Sequence, residues 1–498
     1  MKRVVIIGGG ITGLAAAHRL LERSCESGKQ LELTLLEAGP RLGGIVETHE
    51  RNGFLIERGP DSFISEKPAA VELVKRLGLE SRLIQTNEHN RRSFIVRQGR
   101  LLPVPEGFHL LAPSRFWPFV QSDIFSWCGK ARMALELLLP RRESNGNNTD
   151  ESLAEFVRRR FGTEALERMA QPMVGGIYTA DPERLSLRAT MPRFLDMERE
   201  HRSLIRALRK QGRSPTVSAG SDAEASGARY SLFLSFDGGM QVLTDKLEER
   251  IADFTPHSLE RSSRTSIRVN TVVESITFEF DASESSLKWR LRTTGNETFV
   301  ADAVCLALPA YVSSRLLSDL DPQLSAELVE ISYASSATIN LGFKREDIPH
   351  QLDGFGFVVP FIEKRSLIAC TFSSVKFAGR APQGHALLRA FVGGALQPEL
   401  VELSSDELLA RVLGDLRDLL GIERAPLFTE VAKWERSMPQ YHIGHLDRVG
   451  RIEKRVASLA GLVLAGNAYT GLGIPDCIRS GEAAGDLIDG LLAADLRG

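Results

Sequence analysis

The chain has 498 residues, too many for one hydrophobic core, so two or three domains are expected. Its 62 basic and 64 acidic side chains nearly cancel, which argues against nucleic acid as a partner. Cys25, Cys128, Cys305, Cys370 and Cys477 are scattered without C-x-x-C or metal-ligand spacing, so neither a disulfide scaffold nor a metal site is expected, and a reducing cytoplasm suits them.

The N-terminus runs from one Lys-Arg pair straight into an apolar strand, unlike a cleaved signal peptide, and no stretch of about 18 apolar residues occurs. The strand Val4–Ile7 ends in Gly8-Gly9-Gly10-Ile11-Thr12-Gly13, and Leu14–Leu21 then reads as a helix. Strand, glycine turn and helix N-terminus make a pyrophosphate cradle: glycines let the backbone approach the phosphates, and free N–H groups bind the anion. A second strand, Leu31–Leu36, ends at Glu37, at about the 20-residue spacing that brings a carboxylate to the adenosine ribose hydroxyls. A carboxylate there disfavours a 2′-phosphate. The continuation Glu37-Ala38-Gly39-Pro40-Arg41-Leu42-Gly43-Gly44 resembles the extended fingerprint of the FAD-dependent amine oxidase superfamily. On that likeness Arg41 is expected to pair with a phosphate, and Gly44 to let the chain pass close to the cofactor.

Gly59-Pro60-Asp61-Ser62 falls where related flavoproteins bring a loop to the flavin ring, and Ala69–Leu77 reads as a helix stopped by Gly78. Residues 91–105 read as a hairpin rich in arginine, with Arg91 or Arg92 a candidate clamp for a substrate carboxylate. Gly107–Gly129 carries Phe108, Phe116, Trp117, Phe119, Phe125 and Trp127, and two readings stand: an internal aromatic core or an apolar collar in a membrane interface. Residues 141–148 form a polar linker, Thr149, Asp150 or Ser152 caps the next helix, and 210–228 is a low-complexity surface loop. The helix Gln241–Ile251 follows, then strands at 267–276, 287–292 and 299–308, with a backbone contact to adenine expected near Val273. Short β runs at 338–343, 356–359, 367–372 and 386–392 and a helix at 406–420 make a second, mixed-sheet domain. At the end, Leu462–Ala465 runs into Gly466 and Gly471-Leu472-Gly473-Ile474, then a helix at 478–492: a second βα cradle for the same cofactor.

Taken together, Gly8–Gly13, Glu37 with Arg41–Gly44, Gly59–Ser62, Gly175-Gly176-Ile177-Tyr178-Thr179-Ala180-Asp181, Pro439-Gln440-Tyr441 and Tyr469–Ile478 resemble the oxygen-dependent protoporphyrinogen/coproporphyrinogen oxidases over nearly the whole chain. The resemblance implies an α/β fold: a Rossmann-like FAD-binding domain (1–80, 229–309, 435–498), a mixed-sheet α+β substrate domain (81–105, 196–228, 310–434) and a helical, membrane-associating subdomain (106–195). It implies FAD as cofactor and a porphyrinogen as substrate, oxidised by six electrons in haem biosynthesis. Three hydride transfers to flavin are each reversed by molecular oxygen, giving hydrogen peroxide. Family cofactor contacts fall on Gly8–Gly13, Glu37, Ala38, Arg41, Gly44, Gly59–Ser62, Val273, Trp434, Gly466 and Leu472–Ile474. Family substrate contacts fall near Arg91/Arg92, Gly176, Val358, Phe372 and Phe391. No side chain is expected to act as an essential base, since flavin carries the chemistry. A cytoplasmic protein, peripheral on the membrane face and handing its product to other haem-pathway enzymes, fits the resemblance. An amine oxidase or a carotenoid-type desaturase of the same superfamily, or a non-catalytic flavoprotein, are the competing readings. An amine oxidase would need an aromatic cage, for which Tyr469 offers one wall but Gly471–Cys477 no second.

Overall fold

The computed structural model describes residues 1–142, 150–211, 233–254, 264–281 and 286–494. Most of the predicted linker at 141–148 and loop at 210–228 lies outside them.

A five-stranded parallel sheet carries the chain's two ends, in the order Arg264–Arg268, Leu31–Leu36, Lys2–Ile7, Ala303–Leu306, Leu462–Leu464. Lys2–Ile7 is central because it is apolar on both faces. Val4 and Ile6 point into one core, with helices Ile11–Ser27 and Ile474–Ala494. Val5 and Ile7 point into the other, with Trp289 and Leu317. The two helices touch closely because the second presents glycine: a methyl at Gly481 would lie 2.2 Å from the Thr12 carbonyl oxygen. Arg19 and Arg23 both bond Asp486, at 2.9 and 2.7 Å, along the same seam.

Two predicted strands divide. The segment 267–276 breaks at Asn270, whose φ of 52° turns the chain. Its first part joins the parallel sheet, and Val273–Asp281 starts an antiparallel one. The segment 299–308 likewise splits into Thr298–Ala301 and Ala303–Leu306, in different sheets. The last helix starts at Ile474, four residues before the position read from the sequence, because Pro475 suits a first helical turn.

The second layer is a seven-stranded mixed sheet in the order Phe428–Pro439, Tyr333–Lys344, His385–Gly393, Leu367–Phe372, Gly356–Val358, Phe94–Arg97, Arg100–Pro103. Helix Ser405–Leu420 covers one face, opened by a Ser404/Glu407 capping box and closed by Gly421 at φ 72°. The other face turns toward the loop at 59–62.

Between these layers residues 108–208 form a helical core. Helix Leu153–Arg160 opens on a Ser152/Glu155 capping box. Arg160 and Glu136, both fully buried, form an ion pair; the Ser203 hydroxyl and the Leu204 N–H also bond Glu136. The aromatic stretch is an internal core only in part. Phe108, Phe119 and Phe125 are in the core, whereas Phe116, Trp117 and Trp127 are 53, 69 and 73 % exposed. Among the described residues no helix is long and apolar enough to cross a membrane.

Candidate cofactor and substrate site

The N-terminal cradle is built by removing side chains. Gly8 has φ 107°, and a methyl on it would sit 2.3 Å from the Ala307 carbonyl oxygen. A methyl on Gly13 would sit 1.9 Å from the Gly8 carbonyl oxygen, so only glycine lets the helix start this close to the strand. Gly10 is the helix N-cap with no side-chain cap, and the first turn holds no acid. Nothing lies within 4 Å of a methyl built there. Open space in front of uncapped N–H groups fits a pyrophosphate.

Glu37 stands at the mouth. One carboxylate oxygen accepts from the Gly9 N–H at 2.6 Å and the other from the Gly39 N–H at 2.7 Å. Ala38 beside it is exposed. The turn before Val273 docks here, with the Asn270 and Thr271 N–H groups donating to the Gly39 and Glu37 carbonyls, both at 2.8 Å. Arg41 folds back on its own loop. It donates to the carbonyls of Leu42, Val46 and Gly44 at 2.9, 3.0 and 2.6 Å and pairs with Glu47 at 3.3 Å. Burial opposes charge on Glu47, but Arg41 and Arg58 outweigh it and hold that carboxyl below its usual range. Arg41 thus props Gly43 and Gly44 against Gly9 and Gly10; the Gly43 N–H donates to the Gly9 carbonyl at 2.8 Å.

The loop Gly59–Ser62 is held from behind by the seven-stranded sheet. The Trp434 indole and the Thr338 hydroxyl both donate to the Arg58 carbonyl, at 2.9 and 2.8 Å, and Asn340 donates to the Glu57 carbonyl at 3.2 Å. Arg389, 4 % exposed, donates to the Gly59 carbonyl. Lys376 donates to Asp61 at 2.8 Å, as does Ser62 at 2.7 Å. Burial works to raise the Asp61 pKa, but the charges of Lys376 and Arg389 prevail and the carboxyl stays well below the usual range. Burial raises Glu57, which accepts from Thr48 and from the Met240 N–H at 2.8 Å each.

The C-terminal glycine turn differs from the first in one respect: Asp476 stands in its helix's first turn and accepts from the Gly473 N–H at 3.4 Å. Gly466 has φ 131° and only the Leu308 carbonyl oxygen, at 4.0 Å, near a built methyl. Leu472 and Gly473 lead into the helix at Ile474. Asp476 pairs with Lys67 at 2.5 Å behind them. Tyr441 and His445 lock the preceding loop: the Tyr441 hydroxyl donates to the Asn467 carbonyl at 2.6 Å, and a ring nitrogen of His445 to Tyr469 at 2.9 Å.

On the sheet, Val358, Ala369 and Phe391 pair side by side and share the face turned to the flavin loop. Gly176, in helix Gln171–Tyr178, looks onto Val358 at 3.7 Å from a built methyl. Phe372 departs from the expected wall. It pairs with Leu388, is fully buried, and packs with His350 and Phe357 on the opposite face under helix Ser405–Leu420. Strand side chains alternate, and Thr371, two residues beyond Ala369 and paired with Arg389, takes that place. Arg92 is half-exposed and already paired with Asp353 at 2.6 Å, while Arg91 is mostly buried beside Glu88 at 3.4 Å.

Arg389, Asn340, Thr338, Lys376 and Tyr441 did not emerge as site residues from the sequence. A charge inside the apolar run Ala386–Val392 and an amide inside Thr338–Phe343 were the available signals, since such groups face a polar partner or a ligand.

The model of the family described as flavin containing amine oxidoreductase matches residues 11–488. The coproporphyrinogen III oxidase of Bacillus subtilis is 37% identical over 484 residues, 97% of each chain. Protoporphyrinogen oxidase 2 of Arabidopsis thaliana is 29% identical, covering 98% of this chain and 94% of its own. A crystal structure from Exiguobacterium sp. 255-15, provisionally described as a protoporphyrinogen oxidase, superposes with a TM-score of 0.82 at 34% identity and 98% coverage of both chains. FAD is therefore this chain's cofactor, and two glycine turns with a carboxylate at the end of the second strand suit a dinucleotide. The chain is a member of the flavin-containing amine oxidoreductase family, whose fold it shares from end to end.

Proposed function

We propose that this chain oxidises a porphyrinogen to the porphyrin in haem biosynthesis, with coproporphyrinogen III as its preferred substrate. The observation that carries this is end-to-end likeness to the Bacillus subtilis coproporphyrinogen III oxidase, 37% over 97% of both chains. When bound, FAD supplies the acceptor for hydride from a methylene bridge of the macrocycle, and dioxygen is the terminal acceptor.

The chain's residues do the positioning. Gly8–Gly13 with Ile11 and Thr12 at the helix start, and Gly466 with Leu472–Ile474, take the pyrophosphate and ring edge. Glu37 and Ala38 flank the ribose, and the backbone at Val273 meets adenine. Arg41 and Gly44 shape the cradle's lip. Gly59–Ser62, held by Trp434, presents its backbone to the ring. Val358 and Phe391 make an apolar wall opposite Gly176, which excludes water and orients the macrocycle. Arg91 and Arg92 take propionates, Arg92 exchanging Asp353 for substrate. Residues 1–80, 229–309 and 435–498 hold cofactor, 81–105, 196–228 and 310–434 hold substrate, and 106–195 close the site. Exposed Phe116, Trp117, Trp127, Leu135 and Leu138 support contact of that last region with the cytoplasmic face of a membrane, from which product can be passed to other haem-pathway enzymes.

Porphyrin fluorescence tests the reading, with reduced coproporphyrinogen III and protoporphyrinogen IX assayed in parallel, aerobically and anaerobically. The expected result is oxygen-dependent turnover of both, with kcat/KM larger for coproporphyrinogen. Fluorescence that rises no faster than autoxidation would refute it.

A further inference from the structure

Where the seven-stranded sheet turns toward the loop at 59–62, its face is open. Val358, Ala369, Thr371 and Phe391 are partly exposed although they lie on inner strands, whereas Phe357, Cys370, Phe372 and Ala390, which alternate with them, are buried. Openness on one face of central strands marks the border of a cavity.

Arg389 stands at the end of that face. It pairs across the strands with Thr371 on one side and Asn340 on the other, and its guanidinium lies 4.7 Å over the Phe391 ring. The same guanidinium donates to the Gly59 carbonyl. One side chain thus touches both the loop and the open face, yet it is buried.

Its charge has no partner of its own. Among the described residues Arg389 makes no ion pair, and its Nε has no hydrogen-bond acceptor. The fields of Asp61 and Glu57 reach it, but neither carboxylate pairs with it. Asp61 is engaged by Lys376 at 2.8 Å. Glu57 accepts from the Thr48 hydroxyl and the Met240 N–H, and burial favours its neutral form. Arg380, also buried, adds a second guanidinium that bonds Ser235 and backbone carbonyls. Positive charge is therefore in excess behind the loop, an arrangement that destabilises the protein unless negative charge arrives in front of it.

Hydride acceptance brings that charge. The hydride leaves a methylene carbon with its electron pair, so the flavin ring gains two electrons and one proton, a net charge of minus one. The macrocycle's pyrrole N–H proton goes to water. We propose that Arg389 supplies the buried positive charge that stabilises the reduced flavin, and so sets its reduction potential, from behind the loop at 59–62. The inference rests on the reading of Gly59–Ser62 as the loop that presents its backbone to the ring. A cation fixed in a dry site needs no reorganisation when the charge develops.

The test is the flavin midpoint potential of the purified holoenzyme, measured anaerobically against a reference dye, in wild type, R389Q, R389M and R389K. Both R389Q and R389M remove the charge, but R389Q keeps an N–H for the Gly59 carbonyl. Each should make reduction about 100-fold less favourable, which is about 60 mV for a two-electron couple. R389K retains the charge and should stay within about threefold of wild type, as should T338V, which loosens the hold on the Arg58 carbonyl without changing any charge. A wild-type potential in R389Q or R389M overturns the assignment. So does an equal fall in T338V, since loop shape would then set the potential. The readout is the flavin itself, so a wild-type protein that oxidises no porphyrinogen would overturn the proposed function and leave this assignment standing.

Discussion

Two loops frame the cofactor site, and they are held in opposite ways. Gly8–Gly13 works by absence: close packing of strand, turn and helix leaves no room for a methyl at Gly8 or Gly13. Gly59–Ser62 works by presence: the Arg58 carbonyl that leads into it is held by Trp434 and Thr338, the Gly59 carbonyl by Arg389 and the Asp61 carboxylate by Lys376. At Gly13 the device is local, since the excluding atom is the Gly8 carbonyl oxygen, whereas Gly8 needs the neighbouring strand's end at Ala307 as well. The second exists only once the two layers have met, so it couples this loop to the seven-stranded sheet.

Breaking the first device should have the largest effect. Gly13→Ala puts a methyl 1.9 Å from the Gly8 carbonyl oxygen, backbone that cannot move aside without shifting the helix start. The expected outcome is protein purified without flavin colour, with FAD affinity down about 100-fold or more, because the N–H groups no longer converge on the pyrophosphate. A Gly13→Ala protein that keeps the wild-type flavin-to-protein ratio would show that the cradle tolerates a Cβ and that packing alone explains the glycine.

The same contrast explains what could be read in advance. The cradle lies in consecutive residues, so its glycines, Glu37 and the flanking strand and helix were legible from spacing. The grip on Gly59–Ser62 was not, because its partners lie about 280 to 380 residues further along and only the sheet order brings them together. Parity was lost for a related reason. Phe372 looked equivalent to Phe391, but its partner Leu388 stands three places from Phe391 on the same strand, so the two point to opposite faces, and neither segment alone tells the pairing register. The aromatic stretch 107–129 is not core throughout: it buries Phe108, Phe119 and Phe125 but exposes Phe116, Trp117 and Trp127.

The second device should fail more gently and with a pH signature. Asp61→Asn leaves Lys376 and Arg389, 9 and 4 % exposed, facing a neutral amide. Loss of one member of a buried pair costs about 3 kcal/mol; Asp61 itself is partly open, so about 2 is the expected loss at neutral pH. The folded pKa of Asp61 is depressed, so its stabilisation is fully present above the unfolded value of about 3.9 and is lost as pH falls toward the folded one. The gap between wild type and variant should therefore hold constant from pH 7 to about 5 and narrow by about 1 kcal/mol near pH 3. Glu57 has the opposite sign: its raised pKa costs stability above about pH 4.3, and that cost is relieved on acidification in both proteins alike. Denaturant midpoints across this range decide the matter. A gap that stays constant to pH 3 would mean that Asp61 contributes shape and not charge.

The smallest effect sharpens the comparison most. Trp434→Phe removes one donor from the Arg58 carbonyl but leaves the Thr338 hydroxyl at 2.8 Å on the same oxygen. The carbonyl stays satisfied, so the loss should be only about 0.5–1 kcal/mol, with FAD still bound. Thr338→Val alone should cost about as little, since the indole at 2.9 Å then remains. Together they leave the oxygen with no donor but the Arg389 guanidinium at 3.5 Å, too long for a strong bond. Leaving a buried acceptor without a good partner costs about 1–3 kcal/mol, so the double variant should exceed the sum of the singles. If the loop is gripped by redundant donors, that excess is the measure of the redundancy, and the double variant should also raise KM for FAD and porphyrinogen together, since both sides of the loop are released. Strict additivity, with FAD affinity unchanged, would show instead that Gly59–Ser62 keeps its shape by its own turn, and the contrast between the two loops would disappear.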